Sequence, residues 1–209
     1  MLRMIITVLS LAALTGSAFA ASNIRKGMTQ FSVTLNGETC KIAREQTKDN
    51  KINPAYATTD RGAPQPISLG KGIETVGELE FIDYMMKAEN DQSIIIVDTR
   101  TENWHNKLRI PCTLNVPYTR LNDDKEIALL AILEHFGVEE NDDETLNFDN
   151  AKTIVGYCNG FWCGQTPAMF VKAKYSLINL GYPAEKLKYY RGGMQAWTAL
   201  GLSVEGALK

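Results

Sequence analysis

The pattern of apolar and polar positions predicts a β-hairpin early in the chain. Apolar side chains alternate with polar ones over residues 30–35, which is typical of a strand with one buried face. Asn36 and Gly37 follow directly, and both tolerate the positive φ angles that a type I′ turn requires. Cys40 and Ile42 then lie on the returning strand.

From residue 73 onward, short apolar runs alternate with segments of helical period. Continuous β-branched and apolar runs are typical of strands buried on both faces. Such runs, long or short, occur at 93–98, 113–116, 153–157 and 187–190. Helical spacing predicts a helix that opens at 75–79, another over 129–136 and a third from Pro167 to a stop at Gly181. Strands that alternate with helices predict a parallel α/β sheet with helices on both faces and a ligand site at the carboxyl ends of its strands.

Two polar segments separate these elements. Residues 45–72 carry three prolines and several glycines, so we expect an irregular linker that is either wrapped on the surface or loosely ordered. Residues 139–150 are acidic and lack the spacing of a calcium loop, so we expect a solvated connection there.

The first twenty residues have the three parts of a secretory signal peptide. Arg3 supplies a positive charge, residues 4–14 are almost entirely apolar, and residues 18–20 read Ala-Phe-Ala, a small-x-small cleavage site. We expect cleavage at that site. The uncharged stretch is also long enough for an uncleaved anchor, which is the alternative.

Cleavage divides the chain into a signal peptide at 1–20, a hairpin extension with its linker at 21–72, and an α/β domain at 73–209. Export is expected to place the protein in the periplasm, where disulfides form, without membrane contact after cleavage. The formal net charge of −2 provides no basic surface for nucleic acid. Two histidines and four scattered cysteines show no metal-ligand spacing, so we expect neither a metal nor a cofactor.

Cys158 occupies a position typical of a nucleophile. It follows the strand predicted at 153–157 and precedes a helix expected to begin at Thr166 and Pro167. Unpaired backbone N–H groups and the positive end of a helix dipole stabilise a thiolate, so we expect the pKa of this thiol to be low. The alternative is a buried cysteine that acts as a small apolar side chain. The Cys158 loop (residues 158–165) continues with Asn159, Gly160, Phe161, Trp162, Cys163, Gly164 and Gln165.

Several motifs, in this order, resemble those of rhodanese-like domains. They are Asp98-Thr99-Arg100 at a strand end, Ile110-Pro111-Cys112-Thr113-Leu114-Asn115-Val116-Pro117, Tyr157-Cys158, Leu180-Gly181-Tyr182 and Tyr190-Arg191-Gly192-Gly193-Met194-Gln195-Ala196-Trp197. The resemblance covers residues 73–205 and implies a rhodanese-like fold. Asp98 and Arg100 match the family's strand-end pair, and we expect them to support the loop by hydrogen bonds.

The resemblance also implies sulfur transfer. Cys158 would take sulfane sulfur from a small donor, hold it as a persulfide and pass it to a thiol or another nucleophilic acceptor. The backbone N–H groups of residues 159–164 would then cradle the charge of the outer sulfur, as an oxyanion hole does for oxygen.

Several positions depart from the family's pattern. Active relatives often carry a basic residue about five positions after the cysteine, where this chain has Cys163, and no Arg or Lys occurs between Cys158 and Lys172. A missing cation weakens thiosulfate as the donor, because a buried anion needs a charged partner. The related phosphatase chemistry needs an arginine where this chain has Gly164. Cys112 replaces the glycine of the family's Ile-Pro-Gly run, and Arg109 stands where the family often has a histidine.

The remaining cysteines leave several hypotheses open. Cys163 is either buried and inert or a resolving thiol, which would release sulfur from a persulfide on Cys158 or cycle with it as a redox dithiol. A third hypothesis is a non-catalytic module that binds soft metal ions or a partner. Cys40 and Cys112 are candidates for a disulfide that ties the hairpin to the domain, although sequence does not determine connectivity.

Overall fold

The structure, a computed structural model, describes residues 22–45, 51–57 and 61–208 of the chain. The signal peptide predicted at 1–20 lies outside the described residues. Within the described ranges, no helix is long and apolar enough to cross a membrane.

The described elements form one parallel sheet, helices on its two faces and two small antiparallel hairpins. In chain order they are β1 (Gln30–Leu35), β2 (Glu38–Ala43), β3 (Glu74–Val76), α1 (Glu78–Ala88), β4 (Ile94–Asp98), α2 (Glu102–Lys107), β5 (Leu114–Asn115), a 3₁₀ turn (Tyr118–Leu121), α3 (Lys125–His135), β6 (Glu139–Glu140), β7 (Leu146–Asn147), β8 (Thr153–Tyr157), α4 (Gln165–Pro167), a π-helical turn (Ala168–Lys172), a second 3₁₀ turn (Ala184–Lys186), β9 (Leu187–Tyr190) and α5 (Gly193–Ala199). The strands of the parallel sheet lie in the order β3-β9-β8-β4-β5. The predicted α/β fold class, with a separate N-terminal hairpin, is therefore confirmed.

An apolar core lies on each face of the sheet. On one face, α1 and α5 bury Phe81 and Trp197 completely, with the two rings edge to face and their centroids 5.8 Å apart. On the other face, Phe136 after α3 and Phe170 in the π-helical turn are also fully buried. Each such side chain contributes about 1.5–3 kcal/mol by leaving water, so these helices are fixed on the sheet that carries Cys158.

The N-terminal hairpin agrees with its prediction from the sequence. β1 and β2 are antiparallel with Val33 opposite Cys40, and Asn36 and Gly37 have φ angles of 52° and 80°, as a type I′ turn requires. A disulfide joins Cys40 to Cys112, with 5.9 Å between the Cα atoms. The hairpin is therefore covalently attached to the α/β domain.

The segment predicted to open the first helix begins with a strand instead. Residues Glu74–Val76 form β3, which pairs with β9, and Lys188 Nζ lies 2.8 Å from Glu74 Oε2. The helix starts only after Gly77, whose N–H donates to Glu80 Oε2 at 3.1 Å. A strand of this length is too short to show an alternation of apolar and polar residues in the sequence. Its backbone pairing with β9 decides its conformation.

The acidic connection at 139–150 contains a small hairpin, although most of it is exposed as expected. β6 and β7 pair across a turn in which the Thr145 N–H donates to Asp143 Oδ1 at 3.1 Å. Such local side-chain bonds to the backbone order a polar segment without any apolar pattern.

The continuous helix predicted from Pro167 to Gly181 is wrong. α4 ends after one short turn and widens into the π-helical turn, where the Ala173 N–H donates to the Ala168 carbonyl oxygen at 3.0 Å. The backbone is extended at Ala173, and irregular turns follow. This break allows Leu177 to be fully buried against the sheet, which a straight helix with the predicted apolar face would not achieve.

We expect the disulfide to stabilise the fold by cross-linking residues 72 positions apart. Replacing Cys40 and Cys112 together by alanine should lower the free energy of unfolding by about 4 kcal/mol, as the chain-entropy estimate for a loop of this size gives. Urea titration measures the change. The control is wild-type protein reduced with dithiothreitol, which should match the double variant. Equal stability of the oxidised wild type and the double variant would contradict this role.

Candidate functional site

Cys158 lies at the carboxyl end of β8, the middle strand of the sheet. Its side chain is 2% exposed, and its Sγ lies 3.3 Å from the Cys163 carbonyl oxygen. α5 holds the start of the loop, because its first N–H groups, on Met194 and Gln195, donate to the carbonyl oxygens of residues 158 and 159 at 3.0 Å. Sheet and helix together therefore fix the position of the sulfur.

Hydrogen bonds make the Cys158 thiol acidic despite its burial. Burial raises the pKa, but hydrogen bonds from the Cys163 thiol, from the hydroxyl and N–H of Thr166 and from the Gly160 N–H outweigh it. The pKa of Cys158 falls from 9.0 to about 7. A large fraction of this buried thiol is therefore thiolate at neutral pH.

Thr166, where the sequence predicts that a helix begins, donates hydrogen bonds to the Cys158 sulfur. The cap residue is Gly164, and the Thr166 hydroxyl lies 2.8 Å from Thr99 Oγ1. The Thr99 hydroxyl donates to the Tyr157 carbonyl oxygen at 2.9 Å, and the Thr99 N–H donates to the same oxygen at 3.0 Å. With its own proton on that carbonyl, the Thr99 hydroxyl accepts from Thr166, so the Thr166 hydroxyl shares its proton between Thr99 Oγ1 and the Cys158 sulfur.

A glycine allows the loop to curl around the sulfur. Gly160 has a φ of 156°, and a Cβ at this position would lie 2.6 Å from Gln195 Cβ. The Cys163 N–H donates to the Gly160 carbonyl oxygen at 2.9 Å and closes the turn. Any other residue here would push the loop away from α5.

Cys163 is the second free cysteine of the described residues, and it is also buried. Its hydrogen bond to Cys158, its burial and the negative charge of Cys158 all raise the pKa of its thiol. Cys163 therefore remains protonated and acts as a donor toward the Cys158 thiolate.

Asp98 and Arg100 form a fully buried ion pair beneath the loop. Arg100 binds both carboxylate oxygens, with Nε 2.9 Å from Oδ1 and Nη2 2.6 Å from Oδ2, and its Nη1 donates to Asn159 Oδ1 at 3.1 Å. Burial raises the pKa of Asp98, but the charge and hydrogen bonds of Arg100, together with His105, outweigh it and hold the pKa below its usual value. The ion pair thereby positions Asn159, the residue that follows Cys158.

The linker contributes a buried side chain that the sequence does not reveal. Tyr56 is 3% exposed, and its hydroxyl accepts from Arg100 Nη1 at 2.9 Å and lies 3.4 Å from Asn159 Oδ1. The prediction of a linker confined to the surface is wrong at this residue. A single tyrosine in a polar segment has no period that would mark it as buried.

A second linker residue, Gln65, lies against the Cys158 loop. Its N–H and Nε2 donate to the carbonyl oxygens of Phe161 and Trp162 at 2.7 and 3.1 Å. Lys172 Nζ donates to its Oε1 at 2.8 Å, and Arg191 Nε donates to its carbonyl oxygen at 2.9 Å. These bonds hold the linker across the loop.

Cations that the loop sequence lacks come from other parts of the chain. The Arg61 guanidinium carbon lies 5.4 Å from the centroid of the Trp162 ring, and that of Arg191 lies 5.2 Å from the Phe161 ring. Phe161 is 37% exposed, so these groups lie at the surface of the loop. The sequence does not reveal them, because tertiary contacts bring both arginines there.

Potential metal ligands meet at one place in the described part of the chain, on Glu38, Cys40 and Cys112. Both sulfurs are bonded to each other in the disulfide. They therefore offer no thiolate to a metal ion while the disulfide is intact.

Comparison with known proteins identifies the family. The Rhodanese family model, described as a rhodanese-like domain, matches residues 81–200, which is more than half of the chain. The chain belongs to the rhodanese-like domain family. The crystal structure of the BH2092 protein from Bacillus halodurans is similar to this rhodanese-like chain at 22% sequence identity and a TM-score of 0.41, over 65% of this chain and 78% of that chain. No curated protein matches the chain.

The match to the rhodanese-like family includes Cys158 but not the N-terminal extension. The residues of the extension that contact the site, Tyr56 and Gln65, lie before the first matched residue. Their contacts with the Cys158 loop are therefore an addition to the family's domain.

We expect Arg100→Met to destabilise the fold strongly, because it leaves the charge of Asp98 buried and unpaired. The expected loss of unfolding free energy in urea is about 3–5 kcal/mol at neutral pH. Since the pKa of Asp98 is lowered in the folded state, the wild type's advantage is present above the ordinary carboxyl pKa and is lost as the pH falls through the lowered value.

The matched control is Arg25→Met. It removes an ion pair with Asp83 in which the side chains are 34% and 43% exposed, and it should cost about 0–1 kcal/mol. Similar losses in the two variants would contradict the role of the buried pair.

Proposed function

We propose that this rhodanese-like protein transfers sulfane sulfur through a persulfide on Cys158. The observation that carries the proposal is the position of Cys158, buried at the carboxyl end of the middle strand, where Gly160 and Thr166 donate to its sulfur and lower its pKa to about 7. A thiolate is the nucleophile in this chemistry, and this one forms at neutral pH without a basic side chain in the loop.

In the first step the Cys158 thiolate attacks a sulfane sulfur of a small donor, such as a polysulfide or thiosulfate. A new S–S bond forms, the S–S bond of the donor breaks, and a shorter polysulfide or sulfite leaves with the electron pair. In the second step the thiolate of an acceptor attacks the outer sulfur, and Cys158 leaves as a thiolate. The cycle moves one sulfur atom and requires no redox cofactor.

The surroundings of the loop support a donor with an anionic end. Arg61 and Arg191 lie over the loop's two aromatic rings, and Lys172 lies close by on Gln65. These cations attract an anion to the mouth of the site. The groups that bind the sulfur itself are neutral, so the sulfane end of the donor is the part suited to enter.

Cys163 supports a second candidate function, a thiol redox reaction with Cys158. In this reaction Cys163 gives up its proton and its sulfur attacks the inner sulfur of the persulfide. A disulfide forms between the two cysteines, and the sulfane sulfur leaves as hydrosulfide after gaining two electrons from the thiols. The hydrogen bond to Cys158 and burial both raise the pKa of Cys163, and the burial persists after sulfur loading, so it slows this step and favours sulfur transfer as the main reaction.

We propose that the protein works in the periplasm. The Cys40–Cys112 disulfide supports an oxidising compartment, and the first twenty residues have the pattern of a signal peptide. In that compartment Cys158 and Cys163 would need a supply of reducing thiols to stay free.

We expect Cys158 to gain one sulfur atom when the protein, mildly reduced and desalted, is mixed with inorganic polysulfide or thiosulfate. Intact and peptide mass spectrometry measure the gain. Cys158→Ser should show none at this position. Cys163→Ser is the matched control, because it keeps the nucleophile and should still acquire the sulfur.

The same experiment separates sulfur transfer from the redox function and from a non-catalytic module. Sulfide release with a Cys158–Cys163 disulfide in the wild type, and a lasting persulfide in Cys163→Ser, would favour the redox function. A wild type that gains no sulfur from either donor would contradict sulfur transfer and leave a non-catalytic binding module.

We expect Thr166→Val to make Cys158 less acidic, because it removes a hydroxyl that donates to the thiolate. The rate of reaction with iodoacetamide, followed against pH in the Cys163→Ser background, gives the pKa of Cys158. Its midpoint should rise by about one pH unit or more, as the loss of a hydrogen bond to a charged group implies. Thr34→Val, in the hairpin, serves as the control and should leave the midpoint unchanged. The same midpoint in both variants would contradict the role of Thr166.

A further inference from the structure

One buried hydroxyl beside the two free cysteines has no role in the site as described so far. Tyr189, in β9, is fully buried, and its hydroxyl has no hydrogen-bond partner among the described residues. Leaving a buried hydroxyl unpaired costs about 1–3 kcal/mol. Such a group in a native structure calls for an explanation, and one explanation is a partner that arrives in another state of the site.

The register of the sheet places Tyr189 on the same face as Cys158. Tyr189 is opposite Gly156 in the parallel ladder between β9 and β8. Side chains alternate between faces along a strand, so residue 158 leaves the sheet on the face of residue 156. Tyr190 is opposite Tyr157 and belongs to the other face, where its ring lies 4.6 Å from that of Phe81.

The surroundings of Gly156, the ladder partner of Tyr189, link this face of the sheet to the site. A Cβ added at Gly156 would lie 2.7 Å from Phe170 Cζ and 3.2 Å from Thr166 Cγ2, so Thr166, which donates to Cys158, packs on the same face. Burial raises the pKa of Tyr189, and the negative charge of Cys158 raises it further, while Arg191 lowers it. The phenol thus remains protonated at neutral pH and is available as a donor.

Sulfur loading creates the missing acceptor. A persulfide extends the side chain of Cys158 by one S–S bond, about 2 Å, and moves the negative charge to the outer sulfur. We propose that the Tyr189 hydroxyl donates a hydrogen bond to the outer sulfur of the Cys158 persulfide. This role rests on the proposed function. In it, the Tyr189 hydroxyl donates to Cys158 only when Cys158 carries the extra sulfur, and not when Cys158 is a thiolate.

The hydrogen bond accompanies the S–S exchange without transferring a proton. As the Cys158 thiolate attacks a polysulfide, the new S–S bond forms, the donor's bond breaks, and the departing polysulfide takes the electron pair. The transferred sulfur retains a negative charge after the exchange, and the phenol stabilises that charge. The phenol therefore favours the loaded enzyme over the free thiolate.

The test is Tyr189→Phe, which keeps the ring and removes only the hydroxyl. Tyr190→Phe is the matched control, because it removes a hydroxyl that also lacks a partner among the described residues but lies on the opposite face. Two quantities are measured for each protein. The first is the rate of sulfur gain at Cys158 from inorganic polysulfide, by mass spectrometry. The second is the pH profile of iodoacetamide reaction at sulfur-free Cys158, in the Cys163→Ser background.

We expect Tyr189→Phe to load sulfur about tenfold more slowly or worse, the factor for losing a hydrogen bond to a charged group. The midpoint of its alkylation profile should stay at the value of Cys163→Ser alone, since the resting thiolate does not accept from the phenol. Tyr190→Phe should load sulfur at the wild-type rate and share the midpoint of Cys163→Ser.

Three results would overturn the inference. If Tyr189→Phe loads sulfur at the wild-type rate, the proposed function stands and the hydroxyl has no part in it. A shifted alkylation midpoint alongside slower loading would assign Tyr189 a structural role in the resting loop. If the wild type gains no sulfur at all, the proposed function fails and this role fails with it.

Discussion

The buried ion pair between Asp98 and Arg100 is the interaction on which the candidate site depends. Two charges inside a protein are stabilised only when their donors and acceptors find partners, because the interior does not solvate them. Arg100 places its donors on Asp98, on the Leu108 carbonyl oxygen, on Asn159 and on Tyr56. Displacing any of these groups leaves a charged donor unpaired. The ion pair therefore fixes the positions of the strand end, the loop and the linker relative to one another.

The N-terminal extension is consequently part of the site. Three kinds of contact attach it to the domain, which are the Cys40–Cys112 disulfide, the Tyr56 bond to the ion pair and the Gln65 bonds across the loop. The contact at Gln65 lies over the loop that encloses a sulfur with almost no exposed surface. The linker therefore helps to hold the loop that encloses Cys158 in place.

The parts of this structure that could be predicted from the sequence are those with local signals. The hairpin turn, the buried strand β8 and the position of Cys158 after it each depend on neighbouring residues. β3 and the π-helical turn could not be predicted, because pairing with β9 and packing on the sheet decide them. The same holds for the site: a strand followed by a loop marks Cys158 as a candidate, whereas Tyr56 reaches Arg100 across 44 residues with no pattern between them.

The chemistry of the loop follows from how charge is divided between its interior and its mouth. Burial opposes the Cys158 thiolate, yet the same low dielectric strengthens each hydrogen bond that the sulfur accepts. Neutral donors such as Thr166 can therefore replace the cation that the loop lacks. A cation inside would also hold an anionic donor firmly, whereas Arg61 and Arg191 lie outside on the aromatic rings. In the proposed reaction, the anionic end of a donor stays at the mouth while only its sulfane sulfur reaches the thiolate, so the leaving group is already near solvent when the S–S bond breaks.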